Sequence, residues 1–433
     1  METTIVALSS GSLPAGVAVI RLSGPQSQPI CRSLCGLVPS PRKAQLRSLE
    51  HPQSGLLLDE ALVLSFPAPN SFTGEDVVEL HCHGGRATVA AVLETILQFD
   101  DVRLAEPGEF SRRAFENGRM DLTELEGLSD LIAAETENQR RAALRQAGGH
   151  FRERLDDWRD RIIRVRAFLE AQFDFTDEED VQRDENRAFW TDVRTLRSEI
   201  EVELSDGNAG EIARDGLRVA LLGPPNSGKS SLLNALAQRD VAIVTDIAGT
   251  TRDVLEVSLN IDGQLVLVQD TAGIRDTPDA IEAEGIRRAY CAAEAADVVF
   301  WLKDSDGQPV HLPSERVRVV QTKADLRGLP VGINPLTIST TVQHGLSPIL
   351  NELSVLCRAL GDGMESTLIT RERHRTELTL CTKELDAALN GSLDAELRTD
   401  HLRRAGDVVG RLTGRIDTED LLDVIFSEFC VGK

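Results

Sequence analysis

The sequence predicts a multidomain fold: an α/β N-terminal domain, an all-α helical domain, and a Ras-like α/β P-loop domain inserted into the helical one. Three observations carry this expectation. The first 116 residues alternate β-branched apolar runs with Gly and Ser breaks, as strands do. Long stretches on either side of the centre are rich in Glu, Arg, Leu and Ala at helical spacing. Between them a strand, a glycine-rich loop and a helix follow in direct succession. The chain's 433 residues leave room for several domains of about 100–200 residues each.

Residues 1–116 begin with TIVALSS (4–10) and GVAVIRLSG (16–24), both strand-like, and repeat the pattern in EALVLSFPAP (60–69) and DVVELHCHGG (76–85). ATVAAVLETILQF (87–99) has helical spacing. From 117 to 216 the chain reads as long amphipathic helices, MDLTELEGLSDLIAAETENQRRAALRQ and HFRERLDDWRDRIIRVRAFLEAQFDF, with an acidic break at DFTDEED (174–180). A Gly-rich stretch, DGNAGEIARDG (206–216), precedes a compact α/β pattern over 217–363, which closes at GDGMES (361–366). Helical periodicity returns over 364–433. One helical domain interrupted by an insertion, with Gly-rich hinges at both crossings, accounts for this order.

The formal net charge is −23, from 47 basic and 70 acidic side chains. Residues 1–116 carry −4, residues 217–363 carry −5, and the two helical stretches together carry −14. Such a balance argues against a basic coat for wrapping duplex DNA, because phosphate affinity comes mainly from Lys and Arg. Seven scattered Cys form no disulfide framework, which points to a reducing, cytoplasmic setting. The N-terminus lacks a signal-peptide pattern, and apolar runs such as ALVLSF fall far short of the ~18 residues of a membrane span.

Gly223-Pro-Pro-Asn-Ser-Gly-Lys-Ser230 matches G-x-x-x-x-G-K-[ST], with the strand LRVALL before it and the helix SLLNALAQ after it. Backbone N–H groups and the helix N-terminus suit phosphate oxygens, Lys229 reaches the β- and γ-phosphates, and Ser230 ligates Mg²⁺. Asp270, at the end of the strand VLVQD, is placed to hold the Mg²⁺ shell, and the Gly273 N–H to meet the γ-phosphate. Asp246-Ile-Ala-Gly-Thr-Thr-Arg-Asp253 lies between them as a switch loop whose Thr completes the Mg²⁺ shell. Thr322-Lys323-Ala324-Asp325 approximates the guanine-reading N-K-x-D, with Asp325 accepting from the base. Thr322 in place of Asn could loosen this loop, and Ile338-Ser339-Thr340-Thr341 stands where a further base-contacting element belongs. Guanine is favoured, with an ATPase as the alternative. Ile274 after DTAG cannot orient water, so a group elsewhere must do so; Arg275, Asp276, Asp279, Glu282 and Glu284 are the local candidates.

With NSFTGEDVVELHCHGG (70–85), EPGEFSRRAFENGRMDLTELEGLSDLI (106–132), VTDIAGTTRDVLE and the terminal FCVGK (429–433), the chain resembles the MnmE (TrmE) tRNA-modification GTPases along its whole length. The resemblance implies an N-terminal folate-binding and dimerising domain (1–116), a helical domain (117–216 and 364–433) and an inserted G domain (217–363). It implies a homodimer that works with an FAD-dependent MnmG-type partner. Together they would add carboxymethylaminomethyl or aminomethyl groups to C5 of the wobble uridine of certain tRNAs, using a 5-formyl- or 5,10-methylene-tetrahydrofolate one-carbon unit. GTP contacts would fall on Asn226, Ser227, Gly228, Lys229, Ser230 and Ser231, on Thr245, Asp246, Ile247, Ala248, Gly249, Thr250 and Thr251, on Asp270, Thr271, Ala272 and Gly273, and on Lys323 and Asp325. Mg²⁺ would sit on Ser230 and Thr251, and K⁺ on Asn226, Thr245, Ile247 and Thr250. Glu282 would orient the attacking water, Cys430 is a catalytic candidate, and folate contacts would fall on Arg21, Glu79, Arg119 and Lys433.

Other features read more plainly. Cys430-Val-Gly-Lys433 is a poor prenylation box, since Gly and Lys occupy its last two places. His81, Cys82 and His83 lack a second ligand pair at zinc-finger spacing and read as a strand end. Cys31 and Cys35 are four apart and share a helix face if that stretch is helical. A regulatory GTPase switch with a helical effector module is the competing function class; it would need neither the folate positions nor the FCVGK tail. With −14 on the helices, a tRNA substrate would be gripped mainly by a complex with a more basic partner.

Overall fold

The computed structural model of the chain describes residues 3–174, 181–205, 208–243, 255–270, 293–304, 316–333, 335–364, 368–416 and Gly432. It divides into two units, Met1–Ser129 with Gly410–Lys433, and Asp130–Val409.

In the first unit, β1 (Thr4–Leu8), β2 (Ala15–Ser23), β3 (Gln45–Glu50), β4 (Leu57–Phe66), β5 (Val77–Gly84) and β6 (Val102–Leu104) form one sheet in the order β3-β4-β5-β2-β1-β6. All neighbours are antiparallel except β1 and β6. Ile20, Leu22, Leu80 and Cys82 pack into a core with Ile30, Cys31 and Leu34 of the helix Ser27–Cys35 and with Val89, Val92 and Ile96 of the helix Arg86–Ile96. Because successive side chains alternate across a strand, Arg21, Glu79 and His81 stand on the opposite face. β3, β6 and the helix Ser27–Cys35 were not expected from the sequence. The two strands are half polar or very short, while the helix has a helical spacing in Ile30, Cys31 and Leu34 that Pro29 in its first turn masks.

In the second unit, β7 (Leu217–Leu222), β8 (Leu255–Ile261), β9 (Gln264–Asp270), β10 (Val298–Lys303), β11 (Val317–Gln321), β12 (Gly332–Ile333) and β13 (Leu336–Thr337) make a seven-stranded sheet in the order β12-β13-β11-β10-β7-β9-β8. β7 lies between β10 and β9, parallel to both, and β8 and β12 are antiparallel edges, the Ras-like arrangement that the P-loop predicts. The helix Lys229–Ala237 and the helix Ser347–Met364 contribute Leu232, Leu233, Leu236, Ile349 and Leu353 to the core beneath this sheet.

The long helical stretch after residue 117 is broken into Leu122–Ala133 and Glu137–Ala147. Thr136 causes the restart: with Gln139 it forms a capping box that satisfies backbone donors at the new N-terminus. The helices His150–Asp174, Val181–Ser205, Glu372–Leu389 and Ala395–Leu412 follow. The Gly-rich stretch expected to be a hinge contains a short helix, Ala209–Asp215, and both crossings are anchored. Arg214 Nε and Arg371 donate to the same oxygen of Asp130 at 2.9 and 2.8 Å, and Glu211 pairs with Arg375 at 2.9 Å. No helix among the described residues is long and apolar enough to cross a membrane.

Candidate functional site

β7 ends at Gly223, where φ is +149° and an added Cβ would run into the Leu302 carbonyl of β10, so only glycine lets the loop turn there. The loop then folds back to Gly228, the N-cap of the helix Lys229–Ala237. Lys229 is 8% exposed, and its Nζ donates to the Gly223 and Pro224 carbonyls at 2.9 and 3.1 Å. Burial pushes this ammonium below its ordinary 10.5, and the Asp270 carboxylate restores only part of the shift. Ser227 is fully buried, and among the described residues its Oγ has no hydrogen-bond partner. Ser230 Oγ donates to Asp270 Oδ2 at 2.7 Å, which joins the end of the loop to the end of β9.

The donor set fits a nucleotide triphosphate with its divalent ion. Among the described residues, a cation hydrogen-bonded to backbone carbonyls, a buried hydroxyl with no partner and a helix N-terminus converge on one loop, as an anion requires. Ser230 and Asp270 offer a hydroxyl and a carboxylate side by side, the oxygen ligands that Mg²⁺ takes.

The base-reading segment is better tied down than its sequence suggested. Thr322 is buried, and its hydroxyl donates to the Ser227 carbonyl at 2.7 Å, with a longer contact to the Lys303 carbonyl at 3.3 Å. The Thr322 hydroxyl thus bridges this turn to the P-loop. Lys323 adopts a left-handed backbone, φ 57°, and pairs with Asp304 at 2.9 Å. Ser339 Oγ donates to Asp325 Oδ1 at 2.6 Å. That bond, with a further one from Thr341, holds the Asp325 carboxyl below its ordinary value. The Ala324 N–H donates to the Ile338 carbonyl at 3.1 Å, so segments 322–325 and 338–341 form one platform. Thr322, Ser339, Thr341 and Asp304 were not among the predicted site residues; the irregular 338–341 segment was the only sequence signal for two of them.

In the first unit, Arg21 and Glu79 face each other across β2 and β5 and pair at 2.9 Å. His81 Nε2 lies 3.2 Å from the second Glu79 oxygen. The Arg21 guanidinium lies over the Phe72 and Phe110 rings, 5.6 and 5.7 Å from their centroids. Arg119 is exposed, and its stem runs beside Gly74 in the loop that carries Phe72. Ser9 Oγ, just past β1, donates to the Gly432 carbonyl at 2.8 Å, so the end of the chain reaches the edge of the strand next to β2. Cys82 faces the core, while His83 bonds Asp59 through both its N–H and its ring at 2.7 Å.

The remaining predicted residues, Thr245, Asp246, Ile247, Ala248, Gly249, Thr250, Thr251, Thr271, Ala272, Gly273, Glu282, Cys430 and Lys433, lie outside the described residues.

Residues 122–430 match the family profile described as MnmE helical domain, and residues 4–119 match GTP-binding protein TrmE N-terminus. The chain is 48% identical to the tRNA modification GTPase MnmE of Rhizobium etli over 437 residues, covering 100% of the chain and 99% of that protein. It is 46% identical to the protein of the same name from Brucella canis over 435 residues, covering 99% of the chain and 98% of that protein.

Proposed function

The chain belongs to the MnmE family of tRNA modification GTPases, and from that premise we propose that it hydrolyses GTP to drive modification of the wobble uridine at C5. The reaction takes place in the cytoplasm, in a homodimer joined to an FAD-dependent MnmG-type partner, and draws a one-carbon unit from a tetrahydrofolate. In this reading the domains run 1–116, 117–216 with 364–433, and 217–363.

Lys229 donates to the β- and γ-phosphates by exchanging two carbonyl partners for phosphate oxygens. Ser227 directs its orphaned hydroxyl to the same phosphates, and Asp325 accepts from the guanine edge. Glu282 orients the attacking water. Ser230, Asp270 and Thr251 hold Mg²⁺, and Asn226, Thr245, Ile247 and Thr250 hold K⁺; these ions supply positive charge where negative charge develops in phosphoryl transfer. In the N-terminal domain Glu79, steadied by its ion pair with Arg21, receives the amide-like edge of the pterin, while Arg119 and Lys433 attract the acidic tail of the folate.

The observation that carries the hydrolytic half is the Lys229–Ser227–Ser230 cradle, joined through Thr322 to the Asp325 platform. Mass analysis of tRNA nucleosides from cells lacking the protein tests the rest. The wobble-uridine modification should disappear, and an unchanged nucleoside would sink the proposal.

A further inference from the structure

The helix Ser27–Cys35 carries two cysteines one turn apart. Cys31 lies on its buried face, 1% exposed, while Cys35 is its last residue and only partly covered. Their sulfurs stand 3.8 Å apart. Both are free thiols. Arg47 of β3 lies within electrostatic range of Cys35, and among the described residues its buried Nε has no hydrogen-bond partner, while its Nη2 donates to Gln45 at 2.7 Å.

The geometry points to Cys31 and Cys35 as a peroxide-responsive dithiol, with Cys35 the attacking sulfur and Cys31 the resolving one. The Cys35 thiolate attacks one oxygen of hydrogen peroxide, the O–O bond breaks, and Cys35 becomes a sulfenic acid as hydroxide departs. The Cys31 sulfur then attacks the Cys35 sulfur. An S–S bond forms, the S–O bond breaks, and the Cys31 proton leaves with the hydroxyl as water. Overall two thiols lose two hydrogens and one peroxide becomes two waters.

The division of labour follows from the surroundings. Although Cys35 Sγ donates to the Cys31 carbonyl at 2.9 Å, a bond that favours the protonated thiol, the hydrogen bond it shares with the Cys31 sulfur, together with the Arg47 charge, outweighs burial and holds the Cys35 thiol below its ordinary value. That same hydrogen bond and burial push Cys31 up. The other described cysteines lack this environment: burial pushes Cys82 up to about 12, Cys357 to about 11 and Cys381 to about 12. Side chains at i and i+4 on a helix hold their Cβ atoms about 5–6 Å apart, and a disulfide brings them to about 4 Å. The last turn must therefore tighten. Cys35 ends the helix and is followed by Gly36 at φ 75°, so the turn that moves is the one least constrained by the backbone ladder. A disulfide closed under such strain is readily reduced, which suits a transient signal in a reducing compartment.

The test treats the full chain with stoichiometric hydrogen peroxide, blocks remaining thiols and maps tryptic peptides without reduction. Cleavage after Arg32 separates the two cysteines, so the bond should appear as peptide 22–32 joined to peptide 33–42, and glutathione should release it. Cys35→Ser should abolish peroxide oxidation of Cys31. Cys31→Ser should leave a Cys35 sulfenic acid that dimedone captures. The inference is overturned if Cys35 links to Cys82 instead, if Cys31 oxidises at the wild-type rate in Cys35→Ser, or if neither sulfur reacts faster than Cys82. Cys35 is partly exposed, so its serine variant should fold even if the Cys31 variant does not.

Discussion

Arg113 in the first unit and Lys229 in the second are both buried cations, 1% and 8% exposed. Arg113 is answered by side chains: it donates to Glu75 at 2.9 Å, to Glu109 at 3.0 Å and to the Thr3 carbonyl at 3.0 Å. The network closes on itself, since Arg103 also takes Glu109 at 2.6 Å and Ser23 donates to Glu75 at 2.7 Å. Burial by itself raises the Glu109 carboxyl, but hydrogen bonds from Arg103, the Glu106 N–H and Arg113 outweigh it and hold the group below its ordinary value. Among the described residues Lys229 donates to two loop carbonyls and to no carboxylate; burial lowers it, and the charge of Asp270 offsets only part of that. A buried charge that has its counter-charges within the fold is part of the fold's own stability. One whose partners are uncharged carbonyls is held at a cost that a ligand with negative charge removes.

The strongest way to break this comparison is Arg113→Met. It leaves Glu75 and Glu109 under-partnered in a buried site, and removing one member of such a network costs about 3–5 kcal/mol. Hydrogen exchange in peptides from β1 and β5 should rise sharply. Tryptophan fluorescence should not register the change, because Trp158, Trp190 and Trp301 all belong to the other unit. Unaltered exchange would mean that the network adds nothing to the first unit's stability.

Lys229→Met should do the reverse. GTP binding followed by calorimetry should weaken by about 2–5 kcal/mol, the range for truncating one partner of a desolvated charge pair. The melting temperature of the nucleotide-free protein should stay the same or rise, since the variant no longer buries an ammonium whose burial cost the Asp270 charge offsets only in part. A large drop in melting temperature without GTP would place Lys229 with Arg113 as a structural cation.

The same contrast decides what could be seen in the sequence. The P-loop, the strand before it and the helix after it were legible because phosphate binding dictates glycines, a lysine and a serine at fixed spacing. The Ras-like sheet followed from continuous apolar strands such as LRVALL. The Arg113 network was invisible: Glu75, Glu109 and Arg113 look like ordinary surface charges until β1, the 73–76 loop and the helix Glu109–Glu116 bring them together. The Thr136 capping box was present as Thr-x-x-Gln but was hidden inside a continuous helical periodicity. The bond that Thr322 makes was not legible because the pattern specifies an amide at that place, whereas in the fold a short hydroxyl reaches the Ser227 carbonyl.

Thr322 therefore supplies the finest test of the comparison, because it links the open loop to the Asp325 platform proposed to read the base. Thr322→Val keeps the shape and removes the hydroxyl, leaving the Ser227 carbonyl without this donor in a buried setting. An unsatisfied buried acceptor costs about 1–3 kcal/mol. Part of that cost should appear in binding, as roughly tenfold weaker GTP affinity. Thr322→Ser retains the donor and should recover most of the loss. If the valine and serine variants bind GTP equally well, the side chain contributes only volume between the two loops. If valine weakens GTP and inorganic triphosphate alike, the hydroxyl steadies the phosphate loop alone. A loss confined to GTP, with triphosphate unchanged, would show that it positions the base-reading turn, because triphosphate never touches the Asp325 platform.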